Sequence, residues 1–130
     1  MARRQEQVFG QFGLSRAEVG ILSALRVAGP TRRLAPTQLF KGLMLSWAGM
    51  TSRIDRLERR GLVKRRPDPN DPRGILVELT EAGRKILEEA VTANAKSERA
   101  MLSGLNEQQM ATLSRLLRIM LGNLEPGLTA

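Results

Sequence analysis

SWAGMTSRIDRLERRG, residues 46–61, is the stretch from which the rest of the chain is read. Trp47, Met50, Ile54 and Leu57 recur at heptad-like spacing, which predicts one amphipathic helix. Ser46 can accept an orphan backbone N–H at its start, and Gly61 can end it in a left-handed conformation that a β-carbon disfavours. At about 100° per residue, the opposite face carries Ala48, Gly49, Ser52, Arg56 and Arg59, with Arg53 and Arg60 on its flanks. Small side chains come first and cations later. A helix entering the major groove of DNA needs that order, with close approach by its first turns and phosphate contacts further along. On its own the pattern equally fits a basic, solvated surface helix, and the flanking segments decide between the two.

Upstream, Pro36 suits the first turn of a helix, where its missing N–H would be unpaired anyway. That helix, residues 36–43, presents Leu39, Phe40 and Leu43, and the tight turn Met44-Leu45-Ser46 joins it to the basic helix. The pair predicts a helix-turn-helix with the second helix in the reading position. Downstream, Leu62-Val63-Lys64-Arg65-Arg66 reads as a strand leading into PDPNDPRG, a protruding turn. Ile75, Val77 and Leu79 then share one face of the returning strand. Beside a helix-turn-helix, this cationic hairpin reads as a DNA-contacting wing in preference to a merely structural hairpin.

Residues 2–9 predict a short helix broken by Gly10 and Gly13. Ser15 and Glu18 form a capping-box pair opening a helix to about Ala28, with Val19, Leu22 and Leu25 or Ile21 inward, stopped by Gly29-Pro30. After Thr31-Arg32-Arg33, Leu34 can add one short strand. Thr80 caps a long polar helix whose inward positions are mostly small (Ala90, Ala93, Ala100), with Ile86, Leu87 and Met101 as the larger ones. Asn106 and Gln109 make a second capping box, opening a last helix that carries Met110, Leu113, Leu117, Met120, Leu121 and Leu124. So wide an apolar stripe requires a partner surface, and a second copy of the chain is the economical one.

The totals agree with a nucleic-acid partner. The 130 residues suit one domain with a real core, and the formal net charge is +8. Residues 1–80 hold 15 Lys/Arg against 7 Asp/Glu, whereas residues 81–130 hold 6 of each, so the excess is local. Such an asymmetry is the footprint of a polyanion-binding surface. The chain has no cysteine and no histidine, which nearly excludes thiol redox sensing, zinc sites and hydrolytic triads. No paired acid and base marks a carboxylate enzyme. The expectation is therefore no enzymatic activity, no cofactor and no metal. Neither a membrane-spanning run nor a signal-peptide segment is evident, so a cytoplasmic location and no membrane partner are expected. Met44, Met50, Met101, Met110 and Met120 read as core filler in preference to the lining of a ligand pocket.

The runs GLSRAEVGILSALR and LAPTQLFKGLMLSWAGMTSRIDRLERRGLVKRRPDPNDPRGILVELTEAGRKI closely resemble the MarR family of winged helix-turn-helix transcriptional regulators, from about Phe12 onward. The resemblance implies a mainly α chain with a small β-hairpin (α+β). Residues 1–14 would be a short N-terminal dimerisation segment, 15–80 the winged helix-turn-helix, and 81–130 the dimerisation helices. It implies a homodimer on a pseudo-palindromic operator, commonly a repressor, released by a small aromatic effector bound between the dimer region and the reading head. Ser52 sits where such proteins have a base-contacting residue, and Arg53 and Arg56 match positions near phosphates or base edges. Ser46, Ala48, Gly49 and Thr51 complete the expected reading surface. Asp71-Pro72-Arg73 matches the wing's D-x-R signature, in which the aspartate helps orient an arginine that enters the minor groove, and Lys64, Arg65 and Arg66 flank it as candidate phosphate contacts. Two positions depart from the pattern. Trp47 replaces a usually small residue, and the helical wheel favours core packing for it over contact with thymine methyl groups. The first helix is shorter than usual, so either the start is truncated or the dimer relies on the last two helices. The competing function, from a different class, is a winged-helix interaction module whose basic face binds an acidic protein partner.

Overall fold

The capping signals read from the sequence set the element boundaries. The structure, a computed structural model, describes residues 2–104 and 106–124, and the side chains of these except residues 2, 101, 102 and 121–124. The expected dimerisation residues Leu121 and Leu124 and the inward Met101 therefore lie outside the described side chains. The element order is α1 (Ala2–Gly10), α2 (Arg16–Arg26), β1 (Arg33–Leu34), α3 (Pro36–Gly42), α4 (Trp47–Arg59), β2 (Val63–Asp68), β3 (Asp71–Leu79), α5 (Glu81–Leu102) and α6 (Glu107–Leu124).

Local chemistry fixes each boundary. Ser15 Oγ accepts from the Glu18 N–H at 3.1 Å, and Glu18 Oε1 accepts from the Ser15 N–H at 2.9 Å, closing the first capping box. Ser46 Oγ accepts from the Gly49 N–H at 3.0 Å and starts α4. Gly61 ends it at φ +73°. Asn106 and Gln109 exchange reciprocal bonds of 2.9 and 2.8 Å at the head of α6. α3 has no capping side chain at Ala35; Gln38 Oε1 instead takes the Ala35 N–H at 2.8 Å, and Pro36 opens the first turn.

The sheet has three antiparallel strands in the order β1-β3-β2. β1 pairs Arg33 with Glu78 and Leu34 with Val77, and the Leu79 N–H continues the ladder to the Arg32 carbonyl at 3.0 Å. The hairpin turn is narrower than the proline-rich run predicts. β2 runs to Asp68 and β3 begins at Asp71, which leaves only Pro69 and Asn70 between them, with a register shift at Pro67/Asp68. Asp68 accepts the Asn70 N–H at 2.9 Å and Asp71 the Arg73 N–H at 3.0 Å, so carboxylates organise a turn that the prolines cannot hydrogen-bond. The prolines are tolerated because β2 is an edge strand and, at the tip, β3 has no neighbour but β2.

The chain divides within α5 into two compact units, Met1–Asn94 and Ala95–Ala130. The first unit is built on Ile21, Leu22 and Leu25 of α2, Leu39 of α3, Met50, Ile54 and Leu57 of α4, Val63 and Val77 of the sheet, and Leu87 and Ala90 of α5. Val8 and Phe9 of α1 also lie in this core. At the junction of α4, β3 and α5, the Thr80 hydroxyl donates to the Gly61 carbonyl at 2.6 Å and accepts the Gly83 N–H at 3.0 Å. Glycine is required at position 83. A β-carbon there would collide with the Leu62 backbone carbonyl and lie 2.8 Å from Leu79 Cδ1.

Three expectations about packing are corrected. Trp47 is not in the core: it is 49% exposed and its ring meets that of Phe40, whereas Leu43 and Leu45 are the residues of this turn that pack against the core. Of the methionines with described side chains, only Met50 fills the core, whereas Met44 is fully exposed and Met110 and Met120 face solvent from α6. Ala100 is exposed, since it lies beyond the part of α5 that packs on the core, while Ala90 is buried and Ala93 half-buried. Along α6, Leu117 is exposed and Leu113 half-buried, and Leu116 and Ile119 widen the apolar stripe beyond the residues singled out from the sequence. No helix among the described residues is long and apolar enough to cross a membrane.

Candidate nucleic-acid interface

The exposed side of α4 opens with short side chains. Ser46, Ala48, Thr51 and Ser52 are exposed and Gly49 is half-buried. Thr51 Oγ1 donates to the Trp47 carbonyl at 3.0 Å, which holds its hydroxyl against the helix. Arg53 Nη1 donates to the Gly49 carbonyl at 3.1 Å, and a β-carbon at Gly49 would stand 3.3 Å from that nitrogen. Glycine at 49 thus lets the Arg53 guanidinium fold back along its own helix.

The expected cations fall into two sets. Arg56 is anchored within the chain: its Nη1 bonds Glu18 Oε1, and its Nη2 donates to the Gly13 carbonyl at 2.8 Å. Arg60 joins it there, donating to Gly13 at 2.8 Å and to Phe12 at 3.0 Å. Arg65 bridges the wing to the reading helix, with Nη2 to Asp55 at 2.5 Å and Nη1 to Glu58 at 2.6 Å. Arg66 pairs with Glu78 across the hairpin. By contrast, Arg53, Lys64 and Arg73 have no acidic partner among the described residues. Lys64 and Arg73 are exposed, and Asp71 holds the backbone of Arg73 rather than its guanidinium.

The Arg65 bridge fixes the geometry. The Arg65 backbone N–H and then its guanidinium hold the Glu58 carboxyl below the usual carboxylate range, and Asp55 and Glu58 hydrogen bonds raise Arg65 against the effect of burial. One side chain therefore braces α4 against the base of the hairpin. On the other flank of α4, Ser15, Glu18, Ser52, Arg53 and Arg56 line an open depression of about 310 Å³. Glu18 is 1% exposed, and its Oε2 has no hydrogen-bond partner among the described residues. Glu18 was legible in the sequence as a cap, but not as the anchor of Arg56. No local pattern announces an ion pair 38 positions apart.

A braced reading helix, a second helix at a tight turn and an adjoining cationic hairpin define a winged helix-turn-helix protein. The sequence model of the MarR family matches residues 12–74. The regulator PecS of Dickeya dadantii is 34% identical over 115 residues, 88% of this chain and 69% of that protein. Apo MarR from E. coli has TM-score 0.80 at 30% identity over 92% of this chain and 87% of that one. A mutant of MarR from E. coli in complex with operator DNA gives 0.70 at 30% identity, covering 92% and 84%. The chain belongs to the MarR family of winged-helix transcriptional regulators.

Proposed function

We propose that the chain is a sequence-specific duplex-DNA-binding regulator that acts as a homodimer on a pseudo-palindromic operator, most simply as a repressor. The observation that carries this reading is the brace from Arg65 to Asp55 and Glu58, which fastens the hairpin beside α4 while Arg53, Lys64 and Arg73 keep no acidic partner among the described residues. α4 then serves as the groove-reading element, with Ala48, Thr51 and Ser52 facing bases, and Arg73 enters the neighbouring minor groove. Two copies would set their α4 helices about 34 Å apart, one duplex turn. The exposed stripe of Met110, Leu116, Leu117, Ile119 and Met120 on α6 supports a second copy as the partner. Release by a small aromatic effector follows the family resemblance.

The test is anisotropy titration of duplexes selected by the full chain from a random library, at several salt concentrations. A palindromic consensus and a steep fall of affinity with salt are expected. A flat salt dependence would remove phosphate contacts from the mechanism. Light scattering reads the oligomeric state, and Leu117→Glu should shift a dimer toward monomer.

A further inference from the structure

Trp47 is the one tryptophan of the chain and the first residue of α4, directly after the Ser46 cap. It stands 49% exposed, so folding gains little from half of its ring. It is nonetheless held in place. The Phe40 ring of α3 meets it edge-on, with centroids 5.4 Å apart and planes at 70°. A ring fixed in this way loses little rotamer freedom when something docks on it.

Its surroundings say what that would be. The solvent-facing neighbours in the first turns of α4 are Ala48, Thr51 and Ser52, all shorter than an indole, and Arg53 folds back onto the Gly49 carbonyl. Trp47 is therefore the longest exposed side chain at the leading end of the reading helix, and helix side chains lean toward the N-terminus, the end that enters a groove. The acidic residues of α4, Asp55 and Glu58, lie two and three turns away and both pair with Arg65, so no acidic side chain of α4 stands at this end to oppose a phosphate-lined groove. The apolar group that a major groove displays is the thymine C5-methyl.

We propose that Trp47, braced by Phe40, reads a thymine methyl in each half-site and so sets base preference there. The proposal rests on the DNA-binding reading above. The chain has no tyrosine, so tryptophan emission comes from Trp47 alone. The experiment uses the unmodified full chain and its selected duplex, with each thymine replaced in turn by deoxyuridine, which lacks the methyl and keeps every hydrogen-bonding group. One thymine per half-site should weaken binding by about fourfold when replaced, the factor that one buried methyl is worth. Trp47 emission should change on binding, and less so at that uracil. Against Trp47→Ala the same replacement should have almost no effect, and Trp47→Phe should retain part of it. If uracil is silent everywhere, the proposal fails even where Trp47→Ala binds more weakly, because the indole then touches phosphate or sugar. If Trp47→Ala does not fold, the uracil scan on the unmodified chain still decides. If no duplex is selected at all, the DNA-binding reading fails first and this proposal with it.

Discussion

Glu18 of α2 and Arg56 of α4 form an ion pair in which the Glu18 side chain is 2% exposed and the Arg56 side chain 46%. The two partners are therefore not equivalent. Truncating Glu18 leaves Arg56 free to turn into water, but truncating Arg56 strands a carboxylate whose second oxygen already has no partner among the described residues. Arg56→Ala should cost about 2–4 kcal/mol of unfolding free energy, toward the lower part of the range for breaking a buried pair because one partner is half in water. Glu18→Ala, which also removes half of a capping box, should cost about 1–2 kcal/mol. Urea unfolding of both variants and of the double variant checks this. Additive losses would show that the pair is not coupled.

Arg65 and Arg73 sit on the same hairpin with opposite duties. Arg73→Ala should leave stability unchanged and cost about 1–3 kcal/mol of specific DNA binding, with a shallower salt slope. Arg65→Ala should lower unfolding stability by about 1 kcal/mol, the low value reflecting partners that are partly solvated. Its salt slope should stay intact, since Asp55 and Glu58 already occupy its guanidinium. A shallower slope for Arg65→Ala would place that residue on phosphate after all.

The lowered pKa of Glu58 makes part of the wing's attachment pH-dependent. A carboxyl that is more acidic folded than unfolded stabilises fully above its unfolded value, near 4.5, and the contribution is lost as pH falls below that through the folded value. Stability measured from pH 6 downward should therefore fall less steeply for Glu58→Gln than for the unmodified chain. Parallel curves would sink the assignment.

Gly83 tests the junction of α4, β3 and α5. Alanine is the better helix former, so on propensity alone Gly83→Ala should stabilise α5. The Leu62 carbonyl leaves no room for the added methyl, and backbone must move. A loss of about 3 kcal/mol or a failure to fold is expected, read by thermal melts. A raised Tm would show that α5 can pull away from Leu62 at little cost.

What the amino-acid order determined by itself was local. The Ser15–Glu18 box, the Ser46 cap, the left-handed Gly61, the Asn106–Gln109 box and the apolar spacing of Met50, Ile54 and Leu57 each depend on residues a few positions apart, and each stands where it was read. The placement of charge excess upstream of Thr80 was equally open to counting. Tertiary structure alone decided which arginines are available and where Trp47 goes. Arg56 is bound by a carboxylate 38 residues earlier and Arg66 by one 12 residues later, and a helical wheel carries no information about either. Likewise the wheel puts Trp47 on the apolar side, but in the folded chain Leu43 and Leu45 pack against the core there and Trp47 stays half exposed. Helix and turn signals are written in short-range backbone chemistry. The occupancy of a guanidinium or of a core site is settled by groups that meet only once the chain has closed on itself.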